Sequence, residues 1–176
     1  DITAVGSTDR TFFKGVTYWL PAELRSTGDV RKDGEINSRY FSRGMFELLG
    51  MKLIEGEWLE QPNSYNNVII DKRMVEKFNL KLGDQCVMGA VKGIIENVSL
   101  NNVGGEQLAT VIYYRDEDSR YYYVRVQPTA DVGEVVKYIN AVAHELDPNT
   151  EFVQVDDFSS VVAHEYEKTK RTMVIV

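Results

Sequence analysis

A single cysteine, Cys86, is all the thiol chemistry available to this chain of 176 residues. An internal disulfide is therefore impossible, and neither a Cys-x-x-Cys redox pair nor a zinc pattern built on paired cysteines can be drawn. Cys86 stands in Gln85-Cys86-Val87-Met88, a run that reads as a strand. A small buried hydrophobe is expected there rather than a nucleophile. Histidine is nearly as scarce. His144 and His164 both fall on expected helices, and neither has a second His or Cys three or four residues away. His164-Glu165 resembles a fragment of a zincin motif that lacks its second histidine, so both imidazoles read as surface groups and no metal is expected.

Basic residues are outnumbered, 20 Lys and Arg against 27 Asp and Glu, for a formal net charge of -7 and a pI near 4.9. A phosphate-binding surface needs clustered cations. The one basic cluster, Lys168, Lys170 and Arg171, lies at the far C-terminal end. Nucleic acid is accordingly not an expected partner. Long apolar runs are also missing, since nothing approaches the ~20 residues that span a bilayer. The chain opens on Ile2-Thr3-Ala4-Val5, which reads as a strand already under way rather than a signal peptide. It closes on Met173-Val174-Ile175-Val176 just after the basic cluster, the order in which a membrane helix commonly begins. The expectation is a piece of a longer protein.

What is present is ordinary for a globular protein: 43% hydrophobic and 27% charged residues, with ten Tyr and seven Phe to fill sheet faces and cores. Strands are expected at 16–20, 35–37, 51–55, 68–70, 85–88, 91–98, 107–114, 121–126 and 151–155. A helix is expected over 38–49, with Tyr40, Phe41, Met45, Phe46, Leu48 and Leu49 giving a helical stripe and Gly50 ending it. A short helix over 72–78 places Met74, Val75 and Phe78 on one face. Asp131, with Glu134 three residues on, reads as a capping box. The helix after it carries Val132, Val135, Val136, Ile139, Val142, Ala143 and Leu146 at helical spacing until Pro148. Asp157 caps a last helix. Residues 26–34, 63–67 and 101–105 read as turns and loops, the last being the most flexible stretch. Strand–helix–strand thus recurs at 35–55 and 121–155, as in split βαβ units.

A catalytic set is hard to assemble. Asp116-Glu117-Asp118 is bracketed by Arg115 and Arg120 and reads as a solvated turn. Asp156-Asp157 stands at a helix start, where free N–H groups and the helix dipole stabilise a carboxylate. No Gly-x-Ser-x-Gly pattern occurs, and Gly83 to Gly89 lacks the Lys-Ser/Thr of a phosphate loop. No enzyme and no cofactor are expected.

Read in order, several blocks resemble one family. Tyr40-Phe41-Ser42-Arg43-Gly44-Met45-Phe46-Glu47-Leu48-Leu49-Gly50, followed by Met51-Lys52-Leu53-Ile54-Glu55-Gly56-Glu57-Trp58, is similar to the aromatic helix, Leu-Gly, strand and Glu-Gly block of MacB-like extracytoplasmic domains. Val68-Ile69-Ile70-Asp71-Lys72 resembles their Val-Val-Ile-Asn-Glu strand–helix. Leu82-Gly83-Asp84 sits where they carry a Gly after that helix. Val91-Lys92-Gly93-Ile94-Ile95-Glu96-Asn97 resembles their Ile-Val-Gly-Val-Val-Lys-Asp. Asp156-Asp157-Phe158, with Glu165-Tyr166-Glu167, resembles the approach to a second membrane helix. Asp71 and Asn97 depart from the commonest residues, and residues 2–33 match little beyond an opening strand.

The resemblance is to ABC-transporter permeases of the MacB/FtsX type. It implies an α+β fold with a porter-like lobe of βαβ units at 1–56 and 119–160, an inserted smaller α/β lobe at 57–118, and a helix at 161–176 leading to a membrane segment. It further implies an inner-membrane protein with this domain on the extracytoplasmic, periplasmic side. The rest of the permease and a cytoplasmic ATPase would be partners, together with a periplasmic adaptor, lipoprotein or hydrolase. The isolated domain would be a monomer and the full-length protein a dimer. The domain would couple ATP hydrolysis to movement outside the membrane. Partner contact is expected at two loops, through Asn63, Tyr65, Asn101, Asn102, Gly104 and Gly105, because loops on a rigid scaffold commonly carry recognition. Two other readings stay open: an extracytoplasmic ligand-sensing domain, which needs an aromatic-lined pocket, and a cytosolic enzyme of unfamiliar type.

Overall fold

Val68, Ile69 and Ile70 are completely buried in succession, and the strand they form, β5 (Asn67–Asp71), explains the centre of the structure. A strand with no polar residue facing out must be covered on both faces and flanked on both edges. It is flanked by β7 (Gly89–Ile95), parallel, and β8 (Ala109–Tyr114), antiparallel. The computed structural model describes residues 1–12, 17–20, 34–60, 62, 66–86, 88–100, 107–116, 120–149 and 154–173. Its other strands are β1 (Ile2–Thr8), β2 (Thr17–Leu20), β3 (Gly34–Phe41), β4 (Leu53–Gly56), β6 (Gln85–Cys86) and β9 (Tyr121–Val126). The sheet order is β4-β7-β5-β8-β3-β1-β9, with β2 paired to β3 and β6 to β7.

Period-two alternation sorts the apolar side chains into two cores, one per sheet face. Val68, Ile70, Val91 and Val111 meet Met74 and Phe78 of helix α2 (Lys72–Phe78). Ile69, Ile95, Ile112 and Phe41 meet Met45 and Phe46 of helix α1 (Arg43–Leu48). Helix α2 falls where its sequence places it. Asp71 caps it, its side chain accepting from the Met74 N–H, and Asn79 ends it in the left-handed region with φ 54°.

Helix α1 corrects an expectation. The helix expected over 38–49 is a strand as far as Phe41, with one short helical segment after Ser42. Tyr40 and Phe41 fit both periods, and pairing decides between them. Parallel β8 sets Tyr113 and Tyr114 opposite them, with the Tyr40 and Tyr113 rings stacked at 5.2 Å. The stop at Gly50 is as expected. At φ 61° its N–H donates to the Glu47 carbonyl and the next, Met51, to the Phe46 carbonyl, closing a Schellman motif. Where α1 begins, Gly44 and Gly6 let helix and β1 touch. A Cβ on Gly6 would lie 2.6 Å from Met45 Cα, and one on Gly44 would strike the Val5 carbonyl oxygen.

Helix α3 (Val132–Leu146) is capped by Asp131, whose Oδ1 accepts from the Gly133 and Glu134 N–H groups. The expected box is formed on that side, while the Glu134 carboxylate pairs with Lys137 at 2.6 Å. The strand expected over 151–155 is absent from its described part. Gln154 and Val155 are exposed and outside any strand, and Gln154 donates to the nearby Asp156 carboxylate instead. A β-prone run needs a free neighbouring edge to become a strand. Helix α4 (Phe158–Met173) follows, and the turn expected at 26–34 falls, up to residue 33, outside the described residues.

Backbone contacts divide the chain into two compact units, one of Asp1–Ala4 with Val124–Val176 and one of Val5–Tyr123. In the larger unit both sheet-face cores are complete. Mixed parallel and antiparallel strands with four helices make the fold α+β.

Candidate functional site

Asn63, Tyr65, Asn101, Asn102, Gly104 and Gly105, the residues expected to meet a partner, all lie outside the described residues. The carboxylates weighed as catalytic or metal-binding are found in local roles. Asp157 accepts from the Ser159 N–H at 3.1 Å and from the Ser159 and Ser160 hydroxyls at 2.6 and 2.9 Å. These bonds hold its carboxyl below the usual range. Asp116 accepts from the Tyr114 hydroxyl at 2.9 Å. Burial first, then this carboxylate, pushes the Tyr114 phenol up. His144 and His164 are exposed on α3 and α4. Among the described residues no group of three or more His, Cys, Asp or Glu could hold a metal ion.

The buried charge is elsewhere, in the larger unit. Asp71 is fully buried, where an uncompensated carboxylate would be costly. Its Oδ1 accepts from the Met74 and Thr110 N–H groups, both at 3.1 Å, and its Oδ2 from Arg73 Nε at 2.9 Å. Burial nevertheless dominates these bonds and raises the carboxyl above its ordinary value. Arg73 reaches further. Its backbone N–H donates to Asn97 Oδ1 at 3.1 Å, and its Nη2 donates to the Val98 carbonyl.

A second buried guanidinium holds the same segment. Arg39, 1% exposed, donates to the Thr11 carbonyl at 3.1 Å and to the Leu100 carbonyl at 3.4 Å. Desolvation pulls its pKa below the usual arginine value. Two arginines therefore fix the strap between β7 and β8 at Val98 and at Leu100, planar donors gripping carbonyls that no sheet neighbour takes. Residues 96–100 form one wall of a cleft of about 270 Å³, and residues 49–52, from the end of α1 to the start of β4, form the other. The walls are tied at one end by the Glu96 N–H donating to the Lys52 carbonyl at 3.1 Å. The cleft is smaller than the ~300–1,000 Å³ typical of small-molecule sites.

Sequence reasoning missed this assembly. Asp71 was legible as a residue before a helix, but its partner Thr110 lies 39 positions further along the chain, and Asn97, which accepts from Arg73, lies 24 positions beyond that arginine. The available signal was that Asp71 and Asn97 are the two departures noted from the MacB-like pattern. Both turn out to bond Arg73.

Among the described residues, no helix is long and apolar enough to cross a membrane. No protein-family model matches the chain, and no curated protein does. Solved structures do. The periplasmic region of MacB from Actinobacillus actinomycetemcomitans is similar over 99% of this chain and 77% of its own, with TM-score 0.54 and 15% identity. The extracellular domain of the noncanonic ABC-type transporter YknZ from Gram-positive bacteria is similar over 89% of this chain and 82% of its own, with TM-score 0.58 and 14% identity. A domain of a putative permease protein from Porphyromonas gingivalis is similar over 89% and 79%, with TM-score 0.55 and 13% identity. The chain has the fold of these extracytoplasmic transporter domains.

Proposed function

We propose that this chain is the extracytoplasmic domain of an ABC-transporter permease subunit, held on the outer side of the inner membrane by helices beyond its two ends. The observation that carries the reading is the likeness over 89–99% of the chain to MacB, YknZ and permease domains. The order of the sequence blocks from Tyr40 to Glu167 supports it independently.

Within that reading the domain is a mechanical element, coupling ATP hydrolysis in the cytoplasm to movement outside. Its partners are the rest of the permease, a cytoplasmic ATPase, and a periplasmic adaptor, lipoprotein or hydrolase. The isolated domain is a monomer, the full-length protein a dimer, and α4 carries force toward the membrane. Loops 63–67 and 101–105 would be the points of contact. The test uses the full gene. Reporter fusions should place 1–176 outside the membrane between two hydrophobic segments of ~20 residues, and the protein should co-purify with an ATPase subunit. A cytoplasmic reporter signal, or a chain ending near Val176 behind a cleaved signal, would sink the reading. A ligand-sensing domain would then become the better account, and a ligand-dependent rise in Tm would support it.

A further inference from the structure

Among its described residues, the unit formed by Asp1–Ala4 and Val124–Val176 buries little apolar surface. Of the described hydrophobic residues, the only one it buries fully is Val135. Yet α3 carries a broad apolar arc. Val136, Ile139, Val142 and Ala143 are half-buried, while Val132 and Leu146 at its two ends are 57% and 82% exposed. Tyr138, at one margin of the arc, is 62% exposed. A long helix with this pattern normally covers its stripe, and exposed apolar side chains grouped on one element mark an interaction surface.

The charge around the arc says what kind of partner would cover it. Residues 1–4 and 124–176 hold ten Asp and Glu against five Lys and Arg, and three of those five, Lys168, Lys170 and Arg171, stand at the far end of the sequence from α3, leaving Arg125 and Lys137 nearer to it. Helical spacing sets Glu134, Tyr138 and Glu145 along the same margin of α3, and both glutamates are exposed. Lys137 neutralises Glu134 in part. A second copy would bring like charge against like, and an anionic lipid surface would be repelled in the same way. We infer that the α3 face of this unit docks a cationic amphipathic segment of a partner protein, Lys or Arg flanking apolar anchors. The apolar arc takes the anchors, and Glu134 and Glu145 take the cations on either side of Tyr138. This deepens the partner assigned above and rests on that reading.

The test uses the 176-residue chain with three 18-residue probe peptides: Lys/Leu amphipathic, Lys/Ser of the same charge, and Glu/Leu. Binding is measured by titration at about 150 mM salt, where exposed charges are screened beyond ~8 Å, and located by amide shift mapping. The Lys/Leu peptide should bind with shifts along α3. Lys/Ser should bind at least about tenfold more weakly, and Glu/Leu should not bind. Tyr138→Ser with Leu146→Ser, and separately Glu134→Gln with Glu145→Gln, should each weaken Lys/Leu about tenfold, with helicity by circular dichroism unchanged. Equal binding of Lys/Leu and Lys/Ser, shifts elsewhere, or insensitivity to both double variants would overturn the inference. So would dimerisation of the free chain through α3. None of these outcomes bears on membrane topology, so the transporter reading stands or falls separately.

Discussion

Asp71 and Arg73 stand two residues apart at the start of one helix, their Oδ2 and Nε 2.9 Å apart, with the carboxylate wholly out of solvent. The carboxylate joins α2 to β8 through Met74 and Thr110, and the arginine carries that connection to Asn97 and Val98. Three elements distant in sequence thus depend on one acid.

Asp71→Ala should be among the more damaging substitutions in the larger unit. It would leave Arg73 without its buried counter-charge and two N–H groups without an acceptor, a loss of about 3 kcal/mol or more. Asp71→Asn keeps the Oδ1 acceptor and should cost about half as much. Urea denaturation of both variants checks this, and equal costs would show that Oδ1 is not the atom that matters.

Acid should act oppositely on two aspartates. The Asp71 carboxyl is raised in the fold above the ordinary value of 3.8, so its protonated form favours the native state. Its contribution is present below 3.8 and is lost as pH rises through the folded value. The Asp157 carboxyl is lowered, so its contribution is present above 3.8 and is lost as pH falls through the folded value. From pH 7 down to about 4 the wild type should gain on Asp71→Asn, and only below 3.8 should its α4 helicity converge on that of Asp157→Asn. Denaturation midpoints and helical circular dichroism across that range give both slopes.

Two glycines with different surroundings should respond differently to a methyl group. At Gly44 a Cβ meets the Val5 carbonyl oxygen, and backbone against backbone leaves nothing flexible to yield. Gly44→Ala should cost more than about 2 kcal/mol. At Gly50 the space is empty and only the positive φ resists, so Gly50→Ala should cost about 1 kcal/mol. Thermal melts would reverse the explanation if Gly50→Ala proved the worse of the two.

Arg73→Met should loosen the strap at 97–100 while leaving the two sheet-face cores intact. Hydrogen exchange of the strap amides is expected to quicken by about tenfold, roughly the ~1.5–3 kcal/mol of a charged hydrogen bond less partial compensation from Arg39. Exchange in β5 and β8 should quicken less than in the strap, through the buried Asp71 that loses its counter-charge. Uniform quickening would mean that Arg73 supports the whole unit and has no selective hold on the strap.

Local signals explain what was legible before the structure. The run Val68-Ile69-Ile70 and the helix over 72–78 with Met74, Val75 and Phe78 on one face contain their own answer, so β5 and α2 lie as expected. Tyr40 and Phe41 do not. Their strand assignment depends on Tyr113 and Tyr114, 73 residues downstream, which no local window contains. Of the strand expected over 151–155, the described Gln154 and Val155 are exposed and belong to no strand. The two-arginine strap was illegible because each guanidinium is satisfied by backbone carbonyls, and any residue supplies one. The six loop residues expected to meet a partner fall outside the described residues, so their role rests on the proposed function alone.

The parallel β3–β8 pair sets Ile36 beside Ala109, and that separation governs how the chain can acquire its shape. At ~5–20 residues per second, synthesis needs about 4–15 s to deliver β8 after β3 is available. During that interval β3 has only the earlier strands β1 and β2 to pair with, and its β8 edge stays open. The middle of the sheet must form late, after a long loop has closed, which places this chain among the slow, non-local folders. Whatever receives the nascent segment has to shield an aromatic strand for seconds before its neighbour arrives.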